Sequence, residues 1–179
     1  MEELKYIEAA KKDPQQFRYF YDKYFKEIFL FINRRTDDED TTSDITQQVF
    51  LKAMQNLPRF EYRGVPFSAW LYRIASNEVT QFFRDASKTR TVSMESSDMS
   101  ELLNVEEGHM DHEKREAAFT AMKKLSSSDL ELIEMRFFEK RSFSEIGDIK
   151  GITENHAKVK TYRIIDKIRM FITQEIGQP

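Results

Sequence analysis

The sequence predicts an all-α chain: two small helical domains joined by a flexible acidic linker, the C-terminal domain a helix-turn-helix. Three observations carry that expectation. Apolar residues recur at three- and four-residue steps over most of the chain, which is the period of an α-helix. Five Gly and four Pro among 179 residues are too few for turn-rich β structure. Between Val92 and Glu113 the helical period fades, and Glu95, Asp98, Glu101, Glu106, Glu107, Asp111 and Glu113 stand there without a single Lys or Arg. That is the composition of a self-repelling tether. The expected boundaries are 1–86 for the first domain, 87–112 for the linker and 113–179 for the second.

Composition narrows the function classes. Hydrophobic residues make up 40% and charged residues 33%, enough to bury a core and remain soluble. The absence of Cys excludes disulfides, thiolate metal sites and a cysteine nucleophile. Three His and no Gly-rich phosphate loop argue against an enzyme. His109 and His112 have metal-ligand chemistry, but they lie in the linker with nothing to orient them, so neither a metal site nor a cofactor is expected. No apolar run approaches a membrane span, and Met-Glu-Glu-Leu-Lys lacks a secretion signal, so a cytoplasmic protein without membrane insertion is expected. The net charge of −3 confines any nucleic-acid binding to local basic patches.

Residues 2–12 read as a short helix. Asp13-Pro14-Gln15-Gln16 then starts a second one, with Asp as cap and Pro at the first helical position. Its inner stripe is Phe17, Phe20, Tyr21, Tyr24, Phe25, Ile28 and Ile32, and Arg34-Arg35 near its end suits the helix dipole. An acidic turn from Thr36 to Thr42 leads to a third helix, Thr42 to Asn56. Ile45, Val49, Phe50, Ala53 and Leu57 point inward, while Asp44, Gln47, Gln48 and Lys52 point outward. Two glutamines beside one acid and one lysine form a hydrogen-bonding surface of low net charge, better suited to a protein partner than to phosphate.

Leu57 to Val65 breaks the helical pattern and carries Arg59, Phe60, Tyr62 and Arg63. Aromatics interleaved with cations suit single-stranded nucleic acid, which needs faces to stack on and charge for its backbone. The same aromatics equally suit a loop plugged onto the core. The fourth helix, Pro66 to Arg84, holds the only Trp. Phe67, Trp70, Leu71, Ile74, Ala75, Val79 and Phe82 form its apolar stripe; Tyr72, Arg73, Asn77, Gln81 and Arg84 form its outer face. Such a face can stack on bases, bond their edges and hold phosphates.

In the second half, Glu113 to Lys124 reads as a helix, and Ser126-Ser127-Ser128-Asp129 caps another with Leu130, Ile133 and Phe137 inward. Ser142-Phe143-Ser144-Glu145 is a capping box that opens a short helix ending at Ile149. Gly151 marks a tight turn, and Thr153 caps the last helix, Glu154 to about Gln174, with Ala157, Thr161, Ile164, Ile165, Ile168 and Phe171 inward. Short helix, glycine turn and capped second helix make a helix-turn-helix. The start of the second helix exposes Asn155 and His156 as candidates for base contact, and Lys158, Lys160 and Arg163 for phosphate or purine contact.

Two stretches carry a family resemblance. Ser43–Ala53 (SDITQQVFLKA) followed by Phe67–Asn77 (FSAWLYRIASN) closely resembles the first conserved domain of bacterial RNA polymerase sigma factors of the sigma-70 family, in its short extracytoplasmic-function (ECF) form. SFSEI…GITENHAKVKTYR is similar to the second conserved domain, with Gly147 where the family usually has Ala. The resemblance implies an alternative sigma factor that binds core RNA polymerase and directs promoter recognition and DNA opening. Asp44, Gln47, Gln48 and Lys52 would then dock on the β′ clamp helices, with the β flap as a further polymerase contact. Phe60, Tyr62, Arg63, Tyr72, Asn77, Gln81 and Arg84 would read the melted minus-ten element; Asn155, His156, Lys158, Lys160 and Arg163 would read the minus-thirty-five duplex. The linker would thread the polymerase cleft, and an anti-sigma factor is a compatible partner. An autonomous helix-turn-helix regulator is the alternative, but it leaves Ser43–Asn77 without a role.

Overall fold

A computed structural model describes residues 2–36, 38–62, 64–85, 102 and 112–176. All the regular elements among them are helical. The chain divides into two compact units, Met1–Ser93 and Met94–Pro179.

In the first unit, α1 (Glu2–Lys12) is followed by a 3₁₀ turn (Pro14–Phe17), α2 (Arg18–Thr36), α3 (Glu39–Asn56), a second 3₁₀ turn (Leu57–Arg59) and α4 (Phe67–Asp85). Asp13 caps the first turn as expected, its Oδ1 accepting from the Gln15 N–H at 3.0 Å. Helices α2, α3 and α4 pack on one another. Phe67 of α4 is 1% exposed and centres the aromatic core. Its ring lies 4.2 Å from Phe20 and 5.4 Å from Phe60 between centroids, joining α2, the loop and α4. Fully burying such a side chain stabilises the fold by roughly 1.5–3 kcal/mol.

One departure from the sequence reading concerns the α2–α3 corner. Helix α3 starts at Glu39, three residues before the expected Thr42, because Asp38 caps it: its Oδ2 accepts from the Thr41 N–H at 2.8 Å. Thr42 is thereby buried, its hydroxyl 2.6 Å from the Asp38 carbonyl oxygen and 2.6 Å from the Thr36 hydroxyl. Arg35 is also buried: its guanidinium sits 3.5 Å over the Phe31 ring and donates to the Phe31 carbonyl at 2.6 Å. The last turn of α2 thus keeps this arginine inside, its cation on a carbonyl at the C-terminal end of the helix.

Helix α1 is fastened to α2 by charge. Lys23 Nζ donates to Glu3 Oε1 at 2.6 Å, and the Tyr24 hydroxyl donates to the same oxygen. Tyr6 and Tyr19 stack above the joint at 3.7 Å, nearly parallel.

The second unit contains α5 (His112–Lys123), α6 (Ser127–Ile133), a π-helical turn (Glu134–Phe138), α7 (Phe143–Lys150) and α8 (Glu154–Ile176). Helices α5, α6 and α7 all pack on α8. The inner face of α8 is Ala157, Thr161, Ile164, Ile165 and Ile168, as the period predicts, with Phe171 half-buried. The capping box at α7 is formed on both sides: Glu145 N–H donates to Ser142 Oγ at 3.2 Å, and Ser142 N–H donates to Glu145 Oε2 at 2.8 Å. The hydrogen bonds from Ser142 hold the Glu145 carboxyl below its usual pKa.

Candidate functional site

Tyr72 and Arg63 apart, the sequence-predicted residues fall on three surfaces, two in the first unit and one in the second. The first is the outer side of α3. Asp44, Gln47 and Gln48 are exposed there. Lys52 is turned toward α4 instead, where its Nζ lies 2.7 Å from both carboxylate oxygens of Glu78. Asp44 and Gln48 also line a cleft of about 300 Å³ between α3 and α4, together with Glu78, Gln81, Phe82 and Asp85. Gln81 is held on its own helix: its amide donates to Asp85 at 2.6 Å, and Arg84 donates to its carbonyl oxygen. Residues assigned separately to polymerase docking and to minus-ten reading therefore share one cleft.

The second surface is the junction of the 57–66 loop with α4. A cleft of about 420 Å³ opens there, lined by Arg59, Phe60, Pro66, Trp70 and Arg73 among others. Phe60 plugs the loop onto the core and also lines this cleft. Its ring packs on Trp70 at 4.7 Å and on Phe67, and its remaining surface faces the cleft. Tyr62, two residues further along the loop, is 52% exposed, and Gly64 takes a left-handed φ of 79° that turns the chain into α4. Arg63 lies outside the described residues. An aromatic wall with two guanidinium-bearing residues at its rim can stack an unpaired base and hold its phosphate; each stacked base contributes roughly 1–3 kcal/mol. Trp70 is the residue the sequence reading missed. The period counts it to the apolar stripe, yet it is only half-buried and walls the cleft.

From this cleft an exposed stripe runs along α4 through Arg73, Asn77, Thr80 and Arg84, at steps of four, three and four residues. Tyr72 does not belong to it, which corrects the sequence assignment. Tyr72 is 5% exposed; its ring meets Phe31 edge-on at 5.1 Å, and its hydroxyl donates to Glu27 at 3.3 Å. The physical reason is that α4 packs against α2 and α3 at once. Its buried face is therefore wider than a single stripe, taking in Tyr72 and Ser76 while leaving Trp70 and Ile74 half-buried.

The third surface is the N-terminal half of α8. Helix α7 ends at Gly151, which is left-handed (φ 68°, ψ 36°) and donates its N–H to the Gly147 carbonyl. Ile152 N–H donates to the same carbonyl at 3.0 Å. Thr153 then caps α8, its Oγ1 accepting from the His156 N–H at 3.2 Å. Asn155, His156, Lys158 and Arg163 are exposed. Lys160 is half-buried and lies 3.4 Å from Asp129 of α6, so it braces the unit as well as contributing charge. Val159 and Tyr162, unassigned by the sequence reading, stand 39% and 52% exposed among these polar groups. A capped helix with amide, imidazole and cationic side chains on its first turns has the chemistry to enter a major groove.

His109 and nearly all of the acidic linker lie outside the described residues, and His112 is exposed at the start of α5. Among the described residues no group of three His, Asp or Glu is placed to hold a metal, and no helix is long and apolar enough to cross a membrane.

Comparison with known proteins agrees with this layout. The family described as sigma-70 region 2 matches residues 20–89, and that described as sigma-70 region 4 matches residues 121–170. The chain is 27% identical over 167 residues to the ECF RNA polymerase sigma factor BldN of Streptomyces coelicolor, covering 92% of this chain but 62% of that protein. It is 26% identical over 176 residues to the ECF RNA polymerase sigma factor SigW of Bacillus subtilis, covering 92% of this chain and 94% of that protein. Its fold is similar to that of the sigma factor RpoE solved in complex with the anti-sigma factor NepR from Bartonella quintana, with a TM-score of 0.54 and 18% identity over 89% of this chain and 98% of that one. With region 2 around the α3–α4 surfaces and region 4 around the helix-turn-helix, in the order that the sequence motifs predict, the chain belongs to the sigma-70 family, as an RNA polymerase sigma factor of the ECF type.

Proposed function

We propose that this chain acts as an alternative sigma factor that binds core RNA polymerase through the outer side of α3 and reads two promoter elements with its two units. The observation that carries the reading is the presence of a base-sized aromatic cleft in the region 2 segment and a basic, capped reading helix in the region 4 segment of one chain. Asp44, Gln47 and Gln48 dock on the β′ clamp helices, with Lys52 bracing that surface through Glu78. Phe60, Tyr62 and Arg63, with Asn77, Gln81 and Arg84, hold the opened minus-ten strand, and Trp70 completes the stacking wall. Unpairing and unstacking a base costs a few kcal/mol, and stacking on Phe60 and Trp70 offsets it. Asn155, His156, Lys158 and Arg163 read the minus-thirty-five duplex, with Lys160 adding charge.

Sigma factors are non-catalytic initiation factors; this chain carries no chemistry of its own and leaves phosphodiester synthesis to the polymerase. It works in the cytoplasm, with residues 1–86 and 113–179 as its two domains and 87–112 as the tether between them. An anti-sigma protein is a fitting regulator, since the similar RpoE was solved with one.

Run-off transcription from a genomic library tests the reading. Core polymerase with this chain should produce transcripts from a defined set of promoters that core alone does not. Tight duplex binding by the chain without core, and no new transcripts with it, would instead identify an autonomous regulator.

A further inference from the structure

The residue at the centre of the reading face of α8 is not polar. Ala157, Thr161, Ile164, Ile165 and Ile168 define the buried side of the helix. Val159 lies two residues after Ala157 and two before Thr161, so at about 100° per residue it points opposite to the core. It is 39% exposed. Its helical neighbours at three and four residues are Asn155, His156, Tyr162 and Arg163, all exposed. Lys158 and Lys160 flank it on either side, nearer the edges of the face, and Lys160 is engaged by Asp129.

A β-branched residue there gains little in the free protein. Valine is a poorer helix former than Ala, Lys or Arg, and a position 39% exposed gives only partial packing to offset the loss. A single exposed apolar side chain is ordinary on a protein surface in general. At the middle of a face that meets base edges it is selective. It cannot accept or donate a hydrogen bond, and it leaves a polar base edge opposite it without a partner. The one base feature in the major groove that it complements is the C5-methyl group of thymine.

We propose that Val159 is a specificity-determining residue of the minus-thirty-five contact, selecting thymine by apolar contact with its methyl group. The inference rests on the reading of α8 as the duplex-reading helix. Lys158 and Arg163 supply affinity through phosphates or purines, and Asn155 and His156 bond neighbouring base edges. Val159 imposes a thymine at the position between them.

Holoenzyme assembled from core polymerase and the full chain is used to select bound duplexes from a pool randomised across the minus-thirty-five element. Each thymine of the selected sequence is then replaced in turn by deoxyuridine, which removes the methyl group alone. Wild-type holoenzyme should lose about fourfold in affinity at one position, the worth of one methyl group taken out of water. Val159→Ala holoenzyme should bind thymine and deoxyuridine equally there. Lys158→Ala holoenzyme should bind more weakly throughout and keep the methyl dependence. Circular dichroism of the Val159→Ala chain checks that its helices are intact. The proposal is overturned by an identical thymine-to-deoxyuridine ratio for wild type and Val159→Ala at every position, a ratio of one included, or by a selected sequence without thymine. Holoenzyme that enriches no upstream sequence beyond core alone overturns the duplex-reading role of α8 itself, and this proposal with it.

Discussion

Gly147 lies directly beneath the carbonyl of Ile152. A Cβ on residue 147 would stand 2.7 Å from that oxygen and 3.3 Å from the Glu154 nitrogen. Both obstructing atoms are backbone, so no side-chain rotation relieves the clash. The glycine is required by the closeness of the turn and not by its φ; the left-handed residue of this turn is Gly151. Gly147→Ala should therefore force the turn open and destabilise the second unit by about 1–3 kcal/mol. Urea denaturation followed by circular dichroism measures it. A variant as stable as wild type would show that the Ile152 backbone yields freely.

Lys52 and the adjacent glutamines make opposite predictions. Lys52 joins α3 to Glu78 of α4, and it is 45% exposed, so solvent screens the pair. Lys52→Gln should cost less than about 1 kcal/mol of stability. Gln47→Ala with Gln48→Ala should leave the melting midpoint unchanged and weaken the binding of core polymerase. Core affinity untouched by the double substitution would remove α3 from the docking surface.

Tyr62 and Tyr72 separate by burial. Tyr72→Ala empties a packed site beside Phe31 and should cost about 3–5 kcal/mol of stability. Tyr62→Ala should leave stability within about 0.5 kcal/mol of wild type, as for most exposed positions. Its effect should show in open-complex formation on a pre-melted promoter, where one stacking face is lost. Equal stability losses in the two variants would contradict the placement of both rings.

The α1–α2 joint sets a pH dependence with two limbs. Burial raises the Glu3 pKa, but hydrogen bonds from Lys23 and Tyr24 outweigh it, and the net shift is downward. A carboxyl depressed in the folded state contributes stability above its unfolded pKa and loses it as pH falls through the folded value. Tyr24 moves the other way: burial and its bond to Glu3 push its pKa up to about 12. Its contribution is full below the ordinary tyrosine value of 10.0 and is lost as pH rises toward 12. The hydrogen bond to Glu3 raises Lys23 in the same sense. Glu3→Gln should lower the melting midpoint at pH 7 and flatten its fall in acid. Parallel midpoint-against-pH curves for wild type and variant would rule the joint out as the source.

Much of the architecture was legible because its causes are local. The caps at Asp13, Ser142 and Thr153 were read from residue type and spacing, and each makes the expected hydrogen bond. The inner faces of α3 and α8 followed from the helical period. The misplaced side chains err in both directions. Tyr72 falls on the outer face of α4 by its angle and is buried because α2 covers it, while Tyr21, on the inner stripe of α2 by its angle, is left 39% exposed. The period of one helix carries no record of how many helices pack on it.

The candidate sites divide the same way. Sequence alone settles that a polar α3 face, an aromatic and basic loop, and a capped basic helix occur in that order, since each is written in a few consecutive residues. Only the tertiary structure decides how those residues are used. Trp70 and Phe60 come together as one wall, ten residues apart in the chain. Lys52 is taken by Glu78, 26 residues away, and Lys160 by Asp129. Contacts between helices distant in sequence depend on how the helices pack, so they assign these side chains to structure or to surface only after the fold is formed.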